Sequence, residues 1–285
     1  MRMDEAAGHR AAPIPVRLGA ADVTWSILVR NLANGETFGH DPGRVLSTAS
    51  VGKILLLAEV ARRIEDGRLP VDELVHRTDA DAVADSGLWQ HLDVESLTIH
   101  DAAVLVAATS DNLATNALLR RVGVEALGET ALALGLEDVR LHDYVRDVRR
   151  PTDPPRLSCG SARELAAIFG RIATRDLVSP AVSRMLGHWL ELSTDLSMVA
   201  SSLDLDPLAH SADGPALALM NKTGTDTGVR ADCGLVSFGE AQVAYAAIAN
   251  WEAASESALG DVMADMRLIG GFVRGLVEGE DRSGA

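Results

Sequence analysis

Ser50, Val51, Gly52 and Lys53 place a hydroxyl and an amine three residues apart, where an apolar run from Ile54 to Ile64 begins. Positions i and i+3 of a helix share a face, so the spacing predicts that Lys53 reaches back to the Ser50 hydroxyl. Burial lowers a lysine pKa, and a neutral amine can take the proton of a serine nucleophile. Composition singles out the same lysine. Of 26 basic residues only Lys53 and Lys222 are lysines. Arginine stays protonated in proteins and cannot act as a base, whereas lysine can be tuned. Taken alone, S-x-x-K also fits a helix-capping serine followed by an incidental lysine.

Two further stretches carry candidate chemistry. Ser110-Asp111-Asn112 interrupts two helical patterns. It reads either as a connecting turn or as a polar cleft wall with Ser110 and Asn112 facing a substrate. Lys222-Thr223-Gly224-Thr225 follows the apolar run 217–220 and reads as a strand along a site, with Gly224 permitting close backbone approach. Trp89 is either a rim residue or core, and Arg230 either a ligand contact or an exposed strand residue. His210 with Asp204, Asp206 and Asp213 has no metal-ligand spacing and reads as surface decoration.

These residues need elements to position them. Alternation predicts a strand over 22–30, and Asn34-Gly35 a hairpin to a second strand through Phe38. The Ser50 helix stops near Gly67 to Pro70. Helices are predicted from Thr98, after Asn112 to Gly123, over 124–134, behind the capping box at Ser161 to Glu164, and from Ser179-Pro180. Residues 136–160 form a long irregular stretch, the kind that often carries function. Strands are expected at 231–238 and 242–249, then a helix over 252–278, bent near Gly270-Gly271. Sheet elements at both ends and helices between them predict one α/β lobe built from both termini, with a helical lobe inserted. The expected division is a loose lead-in over 1–20, an α/β lobe from 22–60 and 215–279, and a helical lobe over 61–214, all within one domain spanning 1–285.

At 285 residues the chain can bury a large core. A net charge of -15 argues against nucleic acid or an anionic membrane as partner. The first twenty residues lack the apolar segment of an export signal, and no stretch is long and apolar enough to span a bilayer. A cytoplasmic location is therefore expected. Cys159 and Cys233 are expected to be buried free thiols.

The set Ser50-Val51-Gly52-Lys53, Ser110-Asp111-Asn112 and Lys222-Thr223-Gly224, in that order, resembles the three motifs of serine β-lactamases and penicillin-binding proteins, class A-type enzymes above all. The segments from Leu97 to Gly123 and from Lys222 to Gly234 extend the likeness, which covers about residues 22–279. The resemblance implies an α+β fold: a five-stranded antiparallel sheet with flanking helices, plus an inserted all-helical lobe. It implies an acyl-enzyme on Ser50 activated by Lys53, formed by opening a β-lactam-like amide, with Ser110 relaying a proton. The backbone N–H groups of Ser50 and Thr225 would form the oxyanion hole. Asn112, Thr223, Gly224, Thr225, Arg230 and Trp89 would contact substrate, with Lys222 beside the substrate carboxylate. It implies no cofactor and no metal, and a small β-lactam, peptide or ester as partner.

One element of the family pattern is missing. Class A enzymes carry a glutamate in an E-x-x-L-N pattern that positions the water clearing the acyl-enzyme. The corresponding stretch here, Arg149 to Ser158, has none. Asp143, Asp147 or Asp153 would have to substitute. Otherwise the protein is expected to behave like a penicillin-binding peptidase or an esterase with slow β-lactam turnover, or, further off, as a non-catalytic binding member.

Overall fold

The computed structural model describes residues 11–19, 22–208, 217–252 and 258–279. His210, Asp213, most of the lead-in and the first turn expected of the last helix lie outside the described residues. Strands β1 (Ala12–Pro13), β2 (Thr24–Asn31), β3 (Thr37–His40) and β4 (Leu46–Ser47) come first. A 3₁₀ turn over Ala49–Gly52 then leads into α1 (Lys53–Glu65). β5 (Leu74–His76) and β6 (Ser96–Thr98) pair as a small ribbon. Next come α2 (Ile99–Thr109), α3 (Asn112–Val122) and α4 (Val124–Ala133). β7 (Arg140–Leu141), β8 (Ser158–Gly160), α5 (Ala162–Ala173) and α6 (Pro180–Leu190) follow. The chain closes with β9 (Ala218–Asp226), β10 (Val229–Phe238), β11 (Ala241–Asn250) and α7 (Ala258–Glu278).

The main sheet has the order β1-β3-β2-β11-β10-β9. The expected five antiparallel strands are its body, and Ala12 and Pro13 add a short parallel strand at one edge. That edge strand is a correction to the loose lead-in. Two residues are too few to leave a periodic signal, and the pairing is fixed only by the partner strand at Phe38 and Gly39.

Each face of the sheet is covered because β2, β10 and β11 are apolar on both sides. On one face Leu28, Ala231, Cys233, Ala244 and Ile248 join the core of α1, α2, α3 and α5. On the other, Ile27, Val29, Tyr245 and Ala247 meet Val262, Met266, Ile269 and Val273 of α7. α5, within the segment assigned to the helical lobe, packs on β2, β10 and β11. α7 runs without interruption through Gly270-Gly271. The expected interruption is absent, and Gly270 serves another purpose: a Cβ there would overlap the Val199 carbonyl, so the glycine lets α7 lie against the turn at Val199–Ser202.

Helix starts follow their caps. Thr98 Oγ1 accepts from Asp101 N at 3.0 Å, and Ser179 Oγ accepts from Val182 N at 3.1 Å. The Ser161 box is only half made. Ser161 caps Glu164 N, but the Glu164 carboxylate accepts instead from the backbone N–H groups of Glu137, Asp138 and Val139. Among the described residues no helix is long and apolar enough to cross a membrane.

Candidate active site

Ser50 sits in the 3₁₀ turn just ahead of α1, preceded by Ala49 at φ 46°. A non-glycine residue in the left-handed region costs energy and persists only where surrounding contacts hold it. Here they do. Ser158 Oγ donates to the Ala49 carbonyl at 2.5 Å and lies 2.7 Å from Thr48 Oγ1. β4 pairs with β8 through Ser47 and Cys159, and Asn250 clasps Ser47 N and O at 2.9 and 3.0 Å. The turn is thereby tied both to β8 and to the end of the main sheet. Ser50 itself is half-buried and lines an open cleft of about 150 Å³.

Lys53 is fully buried at the first position of α1. Its Nζ donates to the Ser110 carbonyl at 2.6 Å, to Asn112 Oδ1 at 2.8 Å and to Ser110 Oγ at 3.3 Å. The direct Ser50–Lys53 hydrogen bond expected from i,i+3 spacing is not formed. Ser50 belongs to the 3₁₀ turn and faces the cleft, while Lys53 begins the α-helix and turns inward to the distant α2–α3 junction. Burial holds the Lys53 pKa well below the ordinary lysine value, and the Lys222 charge pushes it further down against Asp111 and Asp85.

Lys222, on β9, is equally buried. Its Nζ donates to Ser110 Oγ at 2.9 Å and to the Thr223 carbonyl at 2.9 Å. Burial lowers its pKa to about 8, opposed by Asp195, Cys233 and Asp232. One hydroxyl, Ser110 Oγ, therefore stands between the only two lysines of the chain. It is presented by an αL residue, φ 56°, that ends α2.

The central Asp111 is structural. It caps α3 by accepting from Ala114 N, and its other oxygen accepts from the backbone of Leu88 and Trp89 at 2.7 and 2.8 Å. Asn112 gives its oxygen to Lys53 and its amide to the Ala84 carbonyl. Gly224 brings β9 hard against the turn that carries Ser50. A Cβ there would overlap the Thr48 carbonyl and come within 3.1 Å of both Ser50 N and Val51 N. Only glycine lets the strand lie against the turn.

The cleft is lined by Ser50, Ser110, Lys222, Thr223 and Thr225 from the three motifs, by Ser86, and by the stretches 107–109 and 193–195. Other expected site residues stand elsewhere. Trp89 is fully buried, its indole N–H on the Val94 carbonyl at 2.9 Å; its large apolar surface fills the core. Arg230 folds onto its own turn, donating to the Asp226 and Val229 carbonyls, and lies 5.9 Å from the Trp251 ring centroid. Asp147 accepts from Ala84 N, and Asp153 from Arg150 N. Asp143 accepts from Arg146 at 2.7 and 3.0 Å and from Arg149 at 3.1 Å. Burial raises the Asp143 pKa, but Arg146, the Tyr144 backbone N–H and Arg149 together more than offset this and leave its carboxyl below the usual range. None of the three aspartates lines the cleft. Cys159 and Cys233 are free, Cys233 buried and Cys159 only partly so. Among the described residues no group of three or more His, Cys, Asp or Glu is arranged to hold a metal ion.

Two contributors escaped the motif reading. Ser158 braces the turn from the first position of the three-residue strand β8, too short to leave a periodic signal, and nothing in its spacing ties it to Ala49. Asp195 lines the cleft from the segment after α6. Its only local sign is Asp195-Leu196-Ser197, a turn-forming pattern in which Asp195 Oδ1 accepts from Ser197 N and Oγ.

The fold and the three motifs define a serine β-lactamase and penicillin-binding type of protein. The profile of the beta-lactamase enzyme family matches residues 14–265, and the chain belongs to that family. It is 22% identical over 163 residues to beta-lactamase SME-1 of Serratia marcescens, covering 56% of this chain and 55% of that protein. It is 25% identical over 183 residues to a beta-lactamase of Streptomyces albus G, covering 61% of this chain and 58% of that protein. The chain thus spans less than two thirds of the length of these relatives. Among solved structures its fold is similar to PBP-A, with a TM-score of 0.75 at 19% identity, covering 90% of this chain and 92% of that one. It is also similar to a beta-lactamase from Sphaerobacter thermophilus, with a TM-score of 0.73 at 24% identity over 86% and 91%.

Proposed function

We propose that the protein is a serine acyl hydrolase that opens a β-lactam-like amide through an ester on Ser50, and that it releases the acyl group slowly. The observation that carries the first part is the Ser110 hydroxyl held between two buried amines, 3.3 Å from Lys53 and 2.9 Å from Lys222, in the same cleft as Ser50. A neutral Lys53 keeps two N–H groups for its two short bonds and turns its lone pair to the hydroxyl side. It then accepts the Ser50 proton, directly or through Ser110, as Ser50 Oγ attacks the carbonyl carbon. The backbone N–H groups of Ser50 and Thr225 receive the oxyanion, a reading supported by the close lie of β9 on the turn. Ser110 then hands a proton to the leaving nitrogen, the C–N bond breaks, and the ester remains. Lys222 keeps Ser110 oriented.

Slow release is supported by the engaged state of Asp143, Asp147 and Asp153, each committed to backbone or arginine donors away from the cleft. The structural relative PBP-A has been seen, in a point-mutant form, as an acyl-enzyme with penicillin G. The test is peptide mapping after exposure to penicillin G and to a chromogenic cephalosporin. The adduct is expected on Ser50 and absent from Ser50→Ala. Modification elsewhere, or none with either compound, removes the proposal.

A further inference from the structure

The cleft wall built by Lys222, Thr223 and Thr225 has an acidic neighbour. Asp195 lines the same cleft, beside Ser193 and Thr194. Its position is fixed. Thr194 N and Oγ1 donate to the Ala108 carbonyl at 3.0 and 3.1 Å, and Asn221 Nδ2 donates to the Asp195 carbonyl at 3.3 Å. Oδ1 is held by Ser197 N and Oγ. Oδ2 carries no hydrogen bond from the described residues.

The cations that would offset this carboxylate are otherwise engaged. Lys222 directs two of its three protons to Ser110 and Thr223. Arg230 bonds its own turn and does not line the cleft. Asp195 is the largest single influence favouring the charged form of both Lys222 and Arg230, so its field reaches both. The wall therefore offers one engaged ammonium and one half-free carboxylate. A ligand carboxylate placed there meets a like charge, whereas a donor group finds Oδ2 open.

Resting on the acyl-hydrolase reading above, we propose that Asp195 sets substrate class: it selects acyl compounds that present a hydrogen-bond-donating amide or ammonium at this wall, in place of a carboxylate. Thr223 and Thr225 hydroxyls complete such a site, since each can accept as well as donate.

The experiment compares penicillin G with its carboxamide, the two differing at the group that would face this wall. The second-order rate of Ser50 acylation is read by intact mass for the wild type, Asp195→Asn and Asp195→Glu. The wild type is expected to acylate with the amide at least as fast as with the acid. Asp195→Asn keeps an acceptor oxygen for Ser197 but loses the charge, and it is expected to shift the acid-to-amide ratio about tenfold toward the acid, as loss of one nearby like charge would. Asp195→Glu keeps the charge and is expected to hold the wild-type ratio. A ratio that moves less than about twofold in Asp195→Asn, or a wild type that prefers the acid about tenfold or more, overturns the assignment while leaving Ser50 acylation standing. No adduct with either compound in the wild type overturns the acylation reading itself, and this inference with it.

Discussion

The floor of the cleft and the stretch 142–157, which leads into β8 under the Ser50 turn, are built on opposite principles. The floor joins the turn at residues 48–53, the α2–α3 junction and β9. Its cations are two lysines, both withdrawn from water, without a carboxylate partner within ion-pair distance among the described residues. Such amines are costly to keep charged, and burial turns them into groups that exchange protons. The stretch 142–157 is held by arginine: Arg146 and Arg149 converge on Asp143, and Arg149 also holds the Pro154 carbonyl. There the charges are permanent, paired and part exposed. On the proposed function, the difference gives proton chemistry to the floor and shape to the stretch, and it is the physical reason for proposing acylation without an efficient water-activating base.

The comparison can be broken from either side. Lys53→Ala is expected to lower acylation by about 10²–10⁴-fold, the usual worth of a general base, read by adduct formation over time; a loss below about tenfold would remove proton transfer from the floor. Gly224→Ala forces β9 off the turn and is expected to cost about 100-fold in the same assay while the protein stays folded. A rate close to wild type would mean that the fit of strand to turn is irrelevant.

The pH profile of acylation follows from the two lysines. Lys53 must be neutral, so the rate falls as pH drops through its lowered pKa. Lys222 is charged below about 8 and neutral above it, so with penicillin G, whose carboxylate the family resemblance places beside Lys222, the rate is expected to fall again as pH rises past about 8. A profile still rising at pH 10 would contradict the Lys222 role. Ser158→Ala removes the brace under Ala49 and is expected to destabilise by about 1–3 kcal/mol, measured by urea unfolding, with slower acylation. Acylation unchanged at full folding would show that the turn holds itself. The smallest effect belongs to the arginine-bound stretch: Asp143→Asn is expected to change acyl-enzyme decay by less than about twofold, since a lowered, paired carboxyl is a poor base. A decay slowed about tenfold would make Asp143 the missing base.

Much of this was legible from residue types. The two lysines in an arginine background pointed to the two buried amines, and the strands at both chain ends gave the sheet, because apolar alternation and a hairpin turn are local signals. The parts that escaped are non-local. The lysine lies on Ser110 because the α2–α3 junction is delivered to it by packing, which i,i+3 spacing cannot see. Trp89 went to the core, and Arg230 to its own turn, since one side chain's direction depends on neighbours far along the chain. Ser158 and Asp195 reach the site from segments with no periodic pattern. Gly270 reads as a helix break in sequence, yet in the fold it is a contact with Val199.

The most direct test is the fate of the acyl-enzyme. After one equivalent of penicillin G, excess ligand is removed and the mass of the wild-type protein is followed over time. The account predicts that nearly all molecules carry the adduct and that it decays far more slowly than it formed. Rapid return to the unmodified mass, with many equivalents of penicillin hydrolysed per protein, would contradict it and require an efficient base within the cleft.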